Sequence, residues 1–155
     1  MNIIEKITAL FDFAVVDKLS ELLLIDIGII DEIAANKIKQ QTNLDFQGYI
    51  VSIDTFSIKH IMKNHGNTFV EAQRGQVAVI KEDFYKIWQI INDFDIVRYD
   101  TRVSKNNKQI ISESLVFTKD LENQYVVVKE IRSVVKRGKQ NRLVLQSMWI
   151  HKKSS

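Results

Sequence analysis

The carboxy-terminal part of the chain constrains the fold most. Three β-type segments, Ile96 to Val103, Ile110 to Thr118 and Gln124 to Val135, follow one another at hairpin spacing, and Leu143 to His151 makes a fourth. The connectors at 104–108, 119–123 and 136–141 are polar and turn-like, built mostly from Lys, Asn and other polar residues with Gly138. This pattern predicts an antiparallel four-stranded meander, and the helical segments ahead of it make the whole an α+β fold with N-terminal helices packed on that sheet. Simple alternation assigns the faces. In the third segment Tyr125, Val127, Lys129 and Ile131 oppose Val126, Val128, Glu130 and Arg132; in the fourth Leu143, Leu145, Ser147 and Trp149 oppose Val144, Gln146, Met148 and Ile150.

Helical spacing dominates the first half. Ile3, Ile4, Ile7, Leu10 and Phe11, with a second face through Val15, Val16, Leu19, Leu22 and Leu23, predict one or two amphipathic helices over 2–24. Ile30, Ile33, Ala34, Lys37 and Ile38 predict another, stopped near Asn43, a residue that tolerates the left-handed conformation. Residues 1–43 are therefore expected as a helical cap and 44–155 as the main domain. Tyr49 to Ile53 reads as a short strand, and Asp54 as the N-cap of the helix that follows. Val77 to Ile80 is a short apolar run, and a helix over 83–91 is expected to bury Phe84, Ile87, Trp88 and Ile91.

A length of 155 residues suits one domain with a real core, and 45% hydrophobic with 26% charged residues suits an ordinary folded chain. No cysteine is present, which removes disulfides, thiol nucleophiles and cysteine-ligated zinc and permits a cytosolic setting. Asp12, Asp17, Glu21 and Asp26 interrupt the apolar amino terminus, so nothing there approaches the roughly 18 apolar residues of a membrane span, nor the acid-free core of a signal peptide. Charge is distributed unevenly. Residues 1–45 hold four lysines and eight acids, a balance of −4, which leaves +7 of the total +3 for the remainder. Between Lys129 and Lys153 eight basic residues stand against the single acid Glu130, a field that attracts a polyanion such as RNA or DNA, or that simply solvates one face.

His60 and His65, two of three histidines, lie five residues apart on the helix after Asp54. Ile58, Ile61, Met62 and His65 form one stripe, while His60 points away with Phe56 and Asn64. Zinc helices use an i, i+4 pair with Glu between, a pattern absent here, so no metal is assigned. Two readings stay open for the pair: proton transfer on a phosphodiester, or, for His65, a helix end beside Gly66. Ser147 reads equally as a half-buried strand filler, Trp149 as core, and Glu130 as a salt-bridge partner of Arg132. His151 is taken as incidental.

The succession Ile58-Lys59-His60-Ile61 with His65-Gly66, Arg74-Gly75-Gln76 with Lys81 to Phe84, Tyr125 to Arg132, and Leu143 to Trp149 resembles the phage-type nuclease domains of the barnase, EndoU, colicin and RelE-like superfamily over about residues 44–151. Ser147 stands where Thr is commoner, and with only about 45 residues ahead of the resembling stretch the large phage module often found upstream is expected to be missing. The resemblance implies metal-independent, cofactor-free cleavage of RNA by the ribose 2′-hydroxyl, with His60 and His65 transferring protons. Arg74, Lys129 and Arg132 would then contact phosphate, Ser147 would orient it and Trp149 would stack a base. It further implies a toxin-like effector acting on RNA, tRNA included, in the cytoplasm of its own or a target cell, with an immunity protein as partner. A noncatalytic RNA-binding module and a phage structural or interaction protein are the alternatives.

Overall fold

The computed structural model describes residues 1–18, 21–135 and 139–153. Helix α1 (Ile3–Val16) starts at Asn2, whose side chain accepts from the Glu5 amide, and buries Ile7, Leu10, Phe11 and Ala14. Strand β1 (Leu24–Ile29) and helix α2 (Glu32–Thr42) follow. The Asp31 side chain caps α2, and Asn43 closes it at φ 62°, the stop expected there. Strand β2 (Ile50–Asp54) runs straight into α3 (Thr55–His65), capped by the Asp54 carboxylate on the Ser57 amide at 2.8 Å. Then come α4 (Thr68–Gln73), β3 (Gln76–Val77), α5 (Lys81–Phe84), α6 (Ile87–Asn92), β4 (Ile96–Val103), β5 (Ile110–Asp120), β6 (Gln124–Val135) and β7 (Lys139–His151).

The α+β class stands, and β4 to β7 form the expected antiparallel meander. The sheet is nevertheless larger than four strands and is mixed. Its order is β1-β2-β7-β6-β5-β4, with β3 also on β7. Strand β2 runs parallel to β7 over Ile50 to Ser52, and antiparallel β3 meets β7 at Ile150 and His151. Between those two contacts α3 packs against β7. Placing α3 beside a central strand is what brings its amino-terminal half to the sheet.

Three local expectations change. Residues 24–29, which lie in the cap expected to be helical and of which only Leu24 belongs to an expected helix, form β1 and pair with β2. Val15, Val16, Leu22 and Leu23 are accordingly exposed rather than packed, and Leu19 lies outside the described residues, as do Lys136, Arg137 and Gly138. The helix expected over 83–91 is two short ones. Asp83 accepts from the Ile80 amide and from the Tyr125 hydroxyl, Lys86 donates to that hydroxyl at 2.8 Å, and the chain between tightens to i→i+3 bonds at Tyr85 and Lys86. Tertiary anchoring to β6 overrides local helical spacing there.

The third change concerns β7. Val128 pairs with Ser147 but Lys129 pairs with Leu145, so Gln146 is an extra residue, a β-bulge. The bulge switches the parity of the strand. Leu143, Leu145, Met148 and Ile150 all join the core cluster, while Ser147 and Trp149 sit opposite Val128 and Val126 on the other face. The core contains Phe84, Ile87, Ile90 and Ile91 from α5 and α6, Ile58 and Ile61 from α3, and Leu115, Phe117, Tyr125 and Val127 from the sheet. Trp88 packs so closely on Gly28 that a Cβ at that position would lie 2.3 Å from its ring, which accounts for a glycine inside β1.

Candidate active site

Where β2 becomes α3, the strand-to-helix turn faces the polar side of β6. Asp54, Phe56, Ser57 and His60 from this turn meet Glu130 and Arg132 of β6 and Leu145 and Gln146 of β7 around a cleft of about 310 Å³. The size and mixed lining suit a small polar ligand or one unit of a polymer. Asp54 is nearly inaccessible, and its second oxygen stands 3.6 Å from the Arg132 guanidinium, which also grips Glu130 at 3.0 Å. The hydrogen bond to Glu130, followed by the charges of Glu130 and Asp54, raises the pKa of Arg132 against the opposing effect of burial, so its positive charge is permanent. His60 is exposed. The Asn64 amide lies 3.2 Å from its Nδ1 and donates to its carbonyl oxygen at 2.8 Å, which leaves Nε2 to exchange a proton with a ligand.

A second cleft, about 210 Å³, adjoins the first and shares Gln146 with it. Arg98, Asp100 and Arg102 of β4, Ser112, Ser114 and Val116 of β5, Val128 of β6 and Trp149 of β7 line it. Strand register explains the continuity: Asp100, Ser114 and Glu130 are directly opposed across three strands, as are Arg98, Val116, Val128 and Ser147. The extra residue at the bulge turns Gln146 toward this face, where its Oε1 accepts from the Ser114 hydroxyl at 3.0 Å.

The family model described as phage-Barnase-EndoU-ColicinE5/D-RelE like nuclease 3 matches residues 28–155. The chain belongs to this nuclease family. No curated protein and no solved structure matches it. The match runs from within β1 to the end of the chain and includes every residue of both clefts.

In this member of the nuclease family the residues nominated from sequence are not gathered at one point. His60 and Arg132 line the first cleft and Trp149 the second, with Ser147 on the same face. His65 and Arg74 instead flank Glu71, a fully buried carboxylate: His65 Nδ1 is 3.1 Å from one oxygen and Arg74 3.0 Å from the other. Arg74 also donates to the Asn64 carbonyl, and the Val79 amide donates to that of His65. These bonds tie α3, α4 and the segment after β3 together, and neither side chain lines either cleft. The His65 ring does lie 6.0 Å from that of Trp149, whose indole donates to His151 at 3.1 Å.

Lys129 is the plainest departure. It faces the core, is fully buried, and donates to the Ser52 carbonyl at 2.8 Å, so it reaches no ligand in either cleft. Desolvation lowers its pKa to about 7, with the nearby Asp54 charge opposing the shift. Asp54, Ser57, Gln146 and Glu71 were not singled out for the site from sequence. Asp54 carried a signal as the N-cap directly after a strand; Glu71 and Gln146 carried none. Among the described residues no three His, Asp or Glu side chains converge in the way a metal site requires.

Proposed function

We propose that the protein is an endoribonuclease that cleaves RNA by attack of the ribose 2′-hydroxyl on the adjacent phosphate, with the first cleft as its active site. The observation that carries the reading is the convergence of His60, Glu130 and Arg132 on one cleft in a member of a nuclease family. Glu130 takes the 2′-hydroxyl proton, the oxygen attacks phosphorus, and the bond to the 5′-oxygen breaks as His60, in its imidazolium form, supplies a proton from Nε2. The products are a 2′,3′-cyclic phosphate and a free 5′-hydroxyl. Arg132 holds the phosphate oxygens and offsets the charge that grows on them, a task to which its planar fork is suited. No step uses a metal ion or a cofactor.

Proton transfer is thus assigned to Glu130 and His60 instead of to the two histidines. His65 and Arg74 hold the histidine helix in place through Glu71, and Ser147 supports the phosphate-facing surface. We further propose RNA, tRNA included, as the substrate, and a toxin-like role in the cytoplasm of the producing or a target cell, with an immunity protein as partner; the colicins in the family's description support this. Incubation with total cellular RNA in EDTA, followed by mapping of new ends, tests the proposal. Cyclic phosphate ends that vanish in His60→Ala and Glu130→Gln support it, and intact RNA across a range of salt concentrations overturns it.

A further inference from the structure

We infer that the second cleft is a binding subsite for the nucleotide next to the scissile one, which makes the preferred substrate a single strand long enough to cross from β6 to β4. The inference rests on the reading of the first cleft as the site of phosphodiester cleavage. The two clefts form one surface. Gln146 belongs to both, and the row Glu130, Ser114, Asp100 leads from one to the other without a change of face. Two strand spacings, about 10 Å, separate β6 from β4, so a ligand anchored on Arg132 must extend beyond one residue to touch β4.

The chemistry of the lining fits a nucleotide. Val116, Val128 and the half-buried Trp149 supply an apolar floor with an aromatic ring on which a base can stack. Ser112 and Ser114 provide hydroxyls at the level of a sugar or phosphate. Two guanidinium groups border the cleft. Arg98 is paired with Asp100 at 3.1 Å, whereas exposed Arg102 makes no hydrogen bond or ion pair among the described residues and is free to take a phosphate. A duplex buries its bases, so stacking on Trp149 selects an unpaired strand.

Short 2′-deoxy oligonucleotides serve as probes, because they lack the attacking hydroxyl and remain intact on the full-length protein. Affinity of a dinucleotide and a tetranucleotide is followed by tryptophan fluorescence and by dependence on salt. The tetranucleotide is expected to bind about tenfold more tightly, the contribution of one stacked base and one phosphate, and to quench the emission. Arg102→Ala should remove most of that advantage and flatten the salt dependence of tetranucleotide binding by about one ion. Trp149→Leu should abolish the quenching, and Arg98→Ala serves as a second exposed variant. Equal affinity for the two lengths overturns the inference, and so does a length advantage that survives both arginine substitutions. Absence of RNA cleavage by the wild-type protein would instead remove the catalytic reading while leaving these binding results to stand or fall separately.

Discussion

Lys129 allows a quantitative test of how the region under the first cleft is built. Its ordinary pKa of 10.5 falls to about 7 in the fold, mainly through loss of solvent. Between those values the unfolded chain binds a proton that the folded chain does not, so stability rises with pH across this window. The slope is about 1.4 kcal/mol per pH unit and the full interval amounts to about 5 kcal/mol. Below pH 7 both states are protonated and the folded protein carries the whole penalty of a buried charge; above 10.5 both are neutral and the penalty is gone. Lys129→Met removes the titration but also leaves the Ser52 carbonyl without its donor, a loss of about 1 kcal/mol that does not vary with pH. Urea unfolding of both proteins from pH 6 to pH 9 isolates the lysine, because other groups cancel in the difference. The variant should be the more stable at pH 6, and the wild type should gain on it by about 2 kcal/mol between pH 7 and pH 9, because the folded-state lysine is half protonated at pH 7. A difference that stays constant within about 1 kcal/mol over that range would refute the account of a desolvated lysine.

Other substitutions probe the frame around the clefts. Gly28→Ala places a methyl group 2.3 Å from the Trp88 ring and should lower stability by about 1–3 kcal/mol, read as a reduced denaturation midpoint with an unchanged m-value. Glu71→Gln weakens the clamp on His65 and Arg74 and should cost about 2 kcal/mol; cleavage by the folded variant, assayed at low temperature, should stay within a few-fold of wild type if His65 only positions its helix. Asp54→Ala removes the cap of α3 and should lower stability by about 1 kcal/mol from that loss alone, measured by thermal unfolding.

Where local chemistry decides structure, the sequence was informative. Asn43 and Asp54 mark helix ends because a short polar side chain accepts a left-handed φ or satisfies a backbone group, and both do so here. The meander was legible from alternation and turn composition, and the stripe of Ile58 and Ile61 correctly turned His60 outward. What escaped detection depends on contacts between distant segments. Strand β1 is stabilised by pairing with β2 and by Trp88 lying over Gly28, neither of which is written in residues 24–29 themselves. The bulge at Gln146 has no composition signal, yet it moves Met148 and Ile150 into the core and brings Gln146 into both clefts. Lys129 illustrates the same limit from the charge side: alternation placed it correctly with Tyr125 and Val127, but a basic residue in a basic segment suggested a ligand contact, whereas its face is the interior. His65 was drawn away from His60 by Glu71, a carboxylate on the next helix whose burial only the fold reveals.

Cleavage of RNA in EDTA by the wild-type protein, compared with His60→Ala, tests the central claim most directly. The account predicts fragments ending in 2′,3′-cyclic phosphate from the wild type, and a loss of at least about 100-fold in rate for the variant, the usual contribution of a proton-transfer group. Cleavage that needs an added divalent ion, that leaves other ends, or that proceeds unchanged in His60→Ala would contradict it.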